Sequence, residues 1–394
     1  MSVKAAILAV TRGEGELLIG RDAHKSASSA LMLSGLQPRW LWPEWDADLH
    51  MAHPPSPETV EAMWQRHPDA SAAVIVSPTP YGTCADLESI AKICHRRGKP
   101  LIVDEAWGAH LPFHKDLPTW AMSAGADLCL VSVHKMGMGF EQGSVYHLQG
   151  DLIDPVRLTQ CADLLMTTSA NTMIYAGMDA WRRQMVQNGE RLLGQALELT
   201  RRARADIEQI PGLHVLEQEL LGAEASREYD RMHVLIDVTN LGITGYQAAD
   251  WLRENPKLDM GLSDSKRIEA TISMVDDDDT IARLLDALND LRSAAPNLPR
   301  PPAVYLPSPE ELDAETAMLP RDAFFGPVEV VPVEEAAGRI AAELVTPYPP
   351  GIPAIFPGER INPGALRYLR SGVDAGMVLP DPGDPSLKTV RVVR

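Results

Sequence analysis

Two polar segments that follow apolar runs carry the residue types best suited to chemistry. Asp104 follows the apolar run at 101–103, and the segment SVHK at 132–135 follows the run at 128–131. Pyridoxal phosphate chemistry needs this pair, because a carboxylate keeps the pyridine nitrogen protonated and a lysine amine holds the aldehyde as a Schiff base. Ser132 and His134 are available to a phosphate. Either Asp104 or Lys135 alone is simply interpreted as an ordinary surface residue, but together they favour a cofactor site.

The elements that must position these residues alternate along the first part of the chain. After a helical stretch at 1–10, strands are predicted at 16–19, 39–41, 72–76, 101–103 and 128–131, and helices at 25–33, 58–65, 85–95 and 118–124. This alternation predicts an α/β fold with a mainly parallel sheet covered by helices. Ligands collect at the carboxyl ends of the strands in such a sheet, where Asp104 and Lys135 both fall.

The chain changes its texture after this region. A long amphipathic helix is predicted at 181–209, strands at 213–216, 233–238 and 269–274, and helices at 245–254 and 278–292. The acidic run at 276–279 lacks the glycine and the terminal glutamate of a calcium loop, so it is expected to cap the helix that follows. We predict a large domain at 1–185, a small α+β domain at 186–295, a Pro-rich linker at 296–310 and a C-terminal domain at 311–394.

Composition excludes several classes of function. The 394 residues are 45% hydrophobic and 23% charged, as in an ordinary globular protein, and the net charge of −18 argues against nucleic acid. No apolar run approaches the roughly 20 residues of a membrane helix, and no export leader is visible. The cysteines show no metal-ligand spacing, so reduced, buried thiols and no metal site are expected in a cytoplasmic protein. These cysteines are Cys84, Cys94, Cys129 and Cys161.

Several motifs, in order along the chain, resemble those of the Orn/Lys/Arg decarboxylases of fold type I. They are RDAHKS at 21–26, SPTPYG at 77–82, DEAWGAH at 104–110, SVHK at 132–135, QGS at 142–144, GITGY at 242–246 and PYPPGIPAIFPGE at 347–359. The resemblance implies the PLP-dependent transferase-like fold, aspartate aminotransferase fold type I. That fold has a large domain with a mainly parallel sheet, followed here by a small α+β domain and a C-terminal α+β domain.

The resemblance also implies roles for individual residues. Lys135 would be the Schiff-base lysine and Asp104 the partner of the pyridine nitrogen, with His24 on one face of the ring and Ala106 against the other. Ser132 and His134 would contact the phosphate. The residues implied at lesser positions are Trp107 beside the cofactor, Thr167 or Thr168 at the phosphate of a neighbouring subunit, and Tyr348 and Glu359 at the substrate. A turn-forming or structural role remains the alternative for Tyr348 and Glu359.

The implied activity is pyridoxal phosphate-dependent decarboxylation of a basic amino acid, lysine, ornithine or arginine, by a homodimer or larger homo-oligomer. His134 or Lys135 would return the proton to Cα. The family's phosphate loop would precede Met1, so we expect the chain to lack that N-terminal part. Two alternatives therefore remain: a non-catalytic remnant that serves as an assembly subunit, and another fold type I reaction such as transamination.

Overall fold

The first part of the chain forms a helix-covered sheet in the computed structural model, which describes residues 1–11, 13–222, 226–348 and 351–394. Its strands are β1 (Glu16–Gly20), β2 (Gln37–Leu41), β3 (Glu44–Asp46), β4 (Met51–His53), β5 (Ala73–Val76), β6 (Thr83–Cys84), β7 (Leu101–Asp104), β8 (Leu128–Ser132) and β9 (Ser144–Leu148). Its helices are α1 (Ser2–Ala9), α2 (Lys25–Ser34), α3 (Pro57–Arg66), α4 (Leu87–His95) and α5 (Pro155–Leu165). Six strands pair in the order β2-β1-β5-β7-β8-β9, and only β9 runs antiparallel to its neighbour within this sheet.

Successive residues of the central strands pack on opposite faces of this sheet. On one face Ile75 and Val103 join a core that includes Trp64 of α3 and Ile90 of α4. On the other face Val74, Ile102 and Leu130 pack with residues of α1 and α2. Because both faces are covered, the strands are continuous apolar runs, as buried parallel strands usually are. The predicted α/β fold with a mainly parallel sheet is confirmed.

The middle of the chain forms a second sheet with its own core. The helices are α6 (Thr172–Glu208), α7 (Gly245–Glu254) and α8 (Asp278–Ala294), and the strands are β10 (His214–Val215), β11 (Glu228–Tyr229), β12 (His233–Asp237), β13 (Leu262–Ser263) and β14 (Arg267–Thr271). Four strands pair antiparallel in the order β10-β12-β14-β13, and β11 pairs with β6. Helix α6 runs through the predicted boundary between residues 185 and 186, and the domain division stays a prediction.

The last part of the chain contains short elements joined by turns. These are α9 (Pro309–Leu312), α10 (Pro320–Phe325) and α11 (Pro363–Asp374), with β15 (Val328–Pro332) paired antiparallel to β16 (Thr389–Val393). Single 3-10 turns lie at Leu111–Phe113, Gln218–Leu220, Thr239–Leu241, Ala295–Asn297 and Val333–Glu335. Of the signature at 347–359, Pro349 and Pro350 lie outside the described residues.

Some local predictions were wrong. Residues 118–120 are irregular and 121–124 form a turn, not the predicted helix, because the Ala121 amide donates to Glu105 Oε1 at 2.9 Å, which replaces a helical bond. Helix α6 begins at Thr172, before the predicted residue 181, and α5 and β9 were not predicted. Helix α5 buries Leu158, Cys161 and Ala162 on one face, but exposed apolar residues such as Val156 and Leu164 on its other faces obscure this stripe in the sequence. The predicted cap is confirmed, since Asp277 accepts from the Thr280 amide at 2.9 Å at the start of α8.

Three further observations concern the side chains. The four cysteines are buried and free. Within the described ranges, no group of three or more histidine, cysteine or acidic side chains is arranged to hold a metal ion. A search of the same ranges finds no helix with the length and apolar character needed to cross a bilayer.

Candidate active site

The ends of two neighbouring strands bring Asp104 and Lys135 to one edge of the large sheet. Strands β7 and β8 pair in parallel with Asp104 opposite Leu130, and β8 ends two residues later at Ser132. The Lys135 amide donates to the Ser132 carbonyl at 3.2 Å, which closes a turn directly after the strand. The strand ends therefore place the carboxylate and the amine at the same edge, as the sequence predicts.

Asp104 and Lys135 act on each other's charge. Asp104 is buried, with 5% of its surface exposed, and its Oδ1 accepts from the Ala106 amide at 3.2 Å. Burial raises the pKa of Asp104, and the Lys135 ammonium opposes that rise. Burial also lowers the pKa of Lys135, against the opposing effect of Asp104. A lysine with a lowered pKa is a better nucleophile, because more of its amine is neutral.

Trp107 lies against the Lys135 amine. The Lys135 Nζ sits 4.1 Å from the centroid of the indole ring, within the range of a cation–π contact. Trp107 and Ala106 belong to the turn that follows β7, which the Ala106 amide bond to Asp104 starts. This short turn therefore places both residues beside the carboxylate and the amine.

His24 enters the site as a neutral imidazole. It is the N-cap of α2, and its Nδ1 accepts from the Ser26 amide at 3.3 Å, so the ring proton belongs on Nε2. Burial and the nearby Lys135 and Lys25 lower its pKa to about 4. A Cβ on Gly351, at φ +91°, would lie 2.9 Å from His24 Cδ2. The C-terminal signature therefore packs directly on this histidine, and only glycine allows so close an approach.

The predicted phosphate residues lie at the junction of β8 and β9. Ser132 pairs across the strands with Ser144, whose Oγ lies 2.8 Å from Ser2 Oγ at the start of α1. His134 Nδ1 donates to the Gly143 carbonyl at 3.2 Å, and its Nε2 lies 3.9 Å from Glu141 Oε2. The amino group of Met1 is close enough to act on the charge of Asp104. The N-terminal end of α1 thus faces the same edge of the sheet.

The remaining predicted residues lie elsewhere or have other partners. Thr167 and Thr168 are exposed between α5 and α6, and no contact described above involves them. Tyr348 is 48% exposed, and Lys25 Nζ lies 5.4 Å from its ring centroid. Glu359 is buried and accepts from Arg21 Nη2 at 3.2 Å. The roles predicted for these four residues stay predictions.

The structure adds residues that the motifs did not single out. Asp22 has both carboxylate oxygens buried without a hydrogen-bond partner in the part of the chain that the structure describes. Burial, reinforced by the charge of Asp104, raises its pKa to about 7. Glu105 is buried behind Asp104, and burial raises its pKa to about 8. Asp22 and Glu105 both lie within sequence motifs, but a motif does not show which of its side chains are buried. His233, whose ring contacts Trp107, comes from β12 and had no sequence signal.

The residues at this edge fit pyridoxal phosphate. Burial raises the pKa of Asp104, and a pyridinium nitrogen beside it would favour the ionised carboxylate. An aldehyde needs an amine with a lowered pKa, which Lys135 has. A neutral His24 imidazole suits an aromatic ring face.

Comparison with known proteins shows the family and the fold. Sequence models of the Orn/Lys/Arg decarboxylase major domain and C-terminal domain match residues 1–240 and 309–381, respectively. The chain is 38% identical over 396 residues to an arginine decarboxylase of Halalkalibacterium halodurans and 35% identical over 396 residues to one of Bacillus subtilis, in both cases covering 100% of this chain and 80% of the relative. A lysine decarboxylase of Pseudomonas aeruginosa, LdcA, is 25% identical over 90% of this chain and 61% of its own length.

The solved structures confirm the fold type I architecture. The constitutive lysine decarboxylase of Escherichia coli superposes with a TM-score of 0.81 at 18% identity, over 100% of this chain and 69% of that chain. Mouse CSAD superposes with a TM-score of 0.56 over 74% of this chain and 69% of that chain. The motifs, the fold and the two family models agree: this chain belongs to the Orn/Lys/Arg decarboxylase family.

Proposed function

We propose that the chain catalyses the pyridoxal phosphate-dependent decarboxylation of a basic amino acid, and that the amino acid is arginine. The observation that carries the proposal is the meeting of a buried carboxyl, Asp104, with a lysine of lowered pKa, Lys135, at one edge of the sheet. Arginine is favoured because the relatives at 35–38% identity are arginine decarboxylases, whereas the lysine decarboxylases are 22–25% identical.

Each residue has a proposed part in holding the cofactor and the substrate. When bound, pyridoxal phosphate supplies the electron sink for the charge that departing carbon dioxide leaves at Cα. Lys135 would hold the cofactor, Asp104 would keep its ring nitrogen protonated, and His24 and Ala106 would lie against its ring faces. Ser132 and His134 would bind its phosphate. The net charge of −18 favours the approach of a cationic amino acid.

Proton return to Cα needs a donor beside the substrate. His134 is one candidate, since its Nδ1 is fixed on the Gly143 carbonyl and its Nε2 is not used in that bond. Lys135 is the other, because burial lowers its pKa and so eases release of its proton. A replacement of His134 by Gln that keeps the hydrogen bond to Gly143 separates the two.

We propose a homodimer as the working unit. The exposed Thr167 and Thr168 would reach the phosphate site of the partner subunit, and the helices that flank them expose large apolar side chains. The exposed fractions are 77% for Leu164, 70% for Met173 and 53% for Tyr175. Large exposed apolar side chains favour an interface with a partner where they lie together. The four buried free thiols support the reducing cytoplasm as its location.

The decisive experiment combines a spectrum with an activity assay. The full chain is mixed with pyridoxal phosphate, and the visible absorbance is compared with that of Lys135→Ala and of Lys115→Ala, which removes an exposed lysine. We expect a new visible band that Lys135→Ala loses and Lys115→Ala retains. Labelled carbon dioxide is then collected from arginine, lysine and ornithine, with arginine fastest by at least about tenfold, because one misfitting side chain costs 1–3 kcal/mol.

Three outcomes contradict parts of the proposal. No band from the unmodified chain indicates a non-catalytic subunit. A band without carbon dioxide, but with transfer of the amino group to a keto acid, indicates transamination. Equal rates on lysine and arginine contradict the assignment of arginine alone.

A further inference from the structure

Four ionisable side chains form a buried group next to Trp107, which we call the His–Asp quartet: His110, Asp230, His233 and Glu269. His110 Nε2 lies 2.9 Å from Asp230 Oδ2, and His233 Nδ1 lies 3.1 Å from Glu269 Oε1. His233 Nε2 lies 3.8 Å from Asp230 Oδ2, which joins the two pairs. None of the four side chains is more than 1% exposed. Burying four ionisable side chains has a large desolvation cost, which suggests that the quartet serves a purpose beyond stability.

Backbone contacts fix the quartet between the two sheets. Asp230 Oδ1 accepts from the Met232 amide at 3.0 Å, and the Asp230 amide donates to the Gly82 carbonyl at 2.7 Å. A Cβ on Gly82, at φ +82°, would lie 3.0 Å from both the Asp230 carbonyl oxygen and His233 Cβ. The turn of the SPTPYG motif therefore packs tightly against the quartet, and a side chain at position 82 would displace Asp230 or His233.

The quartet places two imidazoles against two carboxylates. Burial disfavours the charge on His233, but its bond to Glu269 and the charge of Asp230 outweigh burial and raise its pKa. Burial equally disfavours ionised Asp230, but His110 and His233 lower its pKa. Arg204 donates to the His233 carbonyl at 2.7 Å. The backbone of His233 is therefore fixed by Arg204, while its ring is flanked by the carboxylates of Glu269 at 3.1 Å and Asp230 at 3.8 Å.

One ring contact connects this group to the candidate active site. The His233 and Trp107 ring centroids are 5.4 Å apart at an interplanar angle of 71°, and Trp107 in turn carries the Lys135 amine at 4.1 Å. The pKa of Lys135 is set by burial and by Asp104, and the quartet does not contribute to it directly. Any effect of His233 on Lys135 must therefore pass through the indole.

We propose that His233, held by Glu269 and Asp230, is a positioning residue that fixes the Trp107 indole against the Lys135 amine. The second sheet, through β12 and β14, thereby sets the orientation of a residue at the edge of the first sheet. This inference rests on the proposed function, since it concerns the lysine of that site. It concerns the chain's own residues, so it can be tested without cofactor.

The test is a double-mutant cycle on Lys135 reactivity in the cofactor-free full chain. The rate of Lys135 acylation is followed by mass spectrometry against pH for the unmodified protein, His233→Gln, Trp107→Phe and the double variant. We expect His233→Gln to lower the midpoint of the Lys135 titration by about 0.5 pH unit, because the ammonium loses its cation–π partner. In the Trp107→Phe background the same substitution should change the midpoint by less than about half as much.

His110→Gln is the matched control. It removes an imidazole from the same quartet, but along these contacts it reaches Trp107 only through Asp230 and His233. It should lower thermal stability as His233→Gln does, yet leave the Lys135 midpoint in place. An equal shift from His110→Gln, or an unchanged His233→Gln effect in the Trp107→Phe background, would overturn the proposal.

Two provisions keep the test decisive. If His233→Gln does not fold, Glu269→Gln takes its place, because the glutamine amide oxygen can still accept from His233 Nδ1 while the charge is lost. We expect it to lower the Lys135 titration midpoint by less than His233→Gln would. An unchanged midpoint would contradict the proposal. Carbon dioxide release is assayed separately. If the protein releases no carbon dioxide but the His233→Gln effect still depends on Trp107, the proposed function is wrong and the positioning role of His233 stands.

Discussion

Asp22 is a carboxyl buried where nothing in the described part of the chain neutralises it. A Cβ on Gly20 would lie 2.3 Å from Asp22 Oδ1, so the backbone leaves room for this carboxyl and little else. Its pKa of about 7, against 3.8 in an unfolded chain, means that its proton is retained in the native state through much of the neutral range. The native state is therefore favoured when this group is protonated.

We predict a stability cost that grows with pH and disappears in Asp22→Asn. Below pH 4 both states hold the proton and no cost arises; from pH 4 to 7 the unfolded state ionises first, so stability falls, and above pH 7 the cost is constant. Relative to the unmodified protein, Asp22→Asn should gain about 2.5 kcal/mol between pH 5 and pH 8. Urea unfolding at both pH values measures this gain.

Asp69→Asn is the control for this prediction, because Asp69 is exposed. Its stability relative to the unmodified protein should stay constant from pH 5 to pH 8. A flat profile for Asp22→Asn as well would mean that Asp22 is ionised in the native state at low pH.

Single residues of the site were accessible from the sequence when they stood at strand ends. Asp104 and Lys135 were predicted there because an apolar run ends abruptly before each polar segment. Asp22 and Glu105 were passed over although both stand inside quoted motifs, because burial depends on what packs above them. His233 was missed for another reason: it meets Trp107 only when a strand of the second sheet folds back onto the first.

At the scale of elements, the C-terminal segment is attached to β1 by a buried ion pair. Arg21 Nη2 donates to Glu359 Oε2 at 3.2 Å, and Arg21 Nη1 donates to the Pro353 carbonyl at 2.7 Å. The guanidinium also lies 5.0 Å from the Trp40 ring centroid. Burial raises the pKa of Glu359 and Arg21 opposes that rise. The pairing favours a structural part for Glu359 over contact with the substrate.

We predict that Glu359→Ala costs about 3–5 kcal/mol of unfolding free energy, because it leaves the Arg21 charge buried without its carboxylate. Glu315→Ala breaks a comparable pair with Arg360, at 3.0 Å, but on the surface, and should cost at most about 1 kcal/mol. Chemical unfolding of both variants provides the comparison. Equal losses, or a raised KM of Glu359→Gln at unchanged stability, would instead favour the substrate role.

Helices and strands were predictable where apolar periodicity and caps agreed. Helix α7 was predicted at its observed bounds, and in the structure Thr244 and Gln247 form a capping box at its start. Helix α5 and the first turns of α6 were not, because exposed apolar side chains such as Leu164 and Met173 stand beside the buried ones and obscure the periodicity. The helix predicted at 118–124 does not form, because the hydrogen bond from the Ala121 amide to Glu105 overrides the local helix propensity.

At the scale of the whole molecule, α5 and α6 both expose large apolar side chains that a single chain leaves uncovered. We call them the α5–α6 band: Val156, Leu164, Met173, Tyr175 and Val186, all more than half exposed. The band flanks Thr167 and Thr168, the residues predicted to reach a neighbouring subunit. A closed two-fold dimer would bury the band of both copies at once.

We predict that Leu164→Glu combined with Met173→Glu converts the protein to a monomer. Two charges in a desolvated apolar interface cannot be solvated or paired there, so association should weaken by at least about a hundredfold. Light scattering during size-exclusion chromatography gives the mass. Phe325→Glu, at another exposed apolar residue, should leave the mass unchanged. A dimer that survives the double substitution would mean that the band is not the interface.

The contact between Arg21 and Glu359 also has a consequence for synthesis on the ribosome. The two residues are 338 positions apart, and at about 5–20 residues per second the ribosome needs roughly 17–70 s to go from one to the other. Throughout that interval the emerging large sheet carries a guanidinium whose carboxylate has not been translated. The packing of Gly351 on the His24 ring is likewise absent until Gly351 has been translated. This edge of the sheet therefore gains its C-terminal contacts only after Gly351 and Glu359 have been translated, although the strands that form the edge are made much earlier.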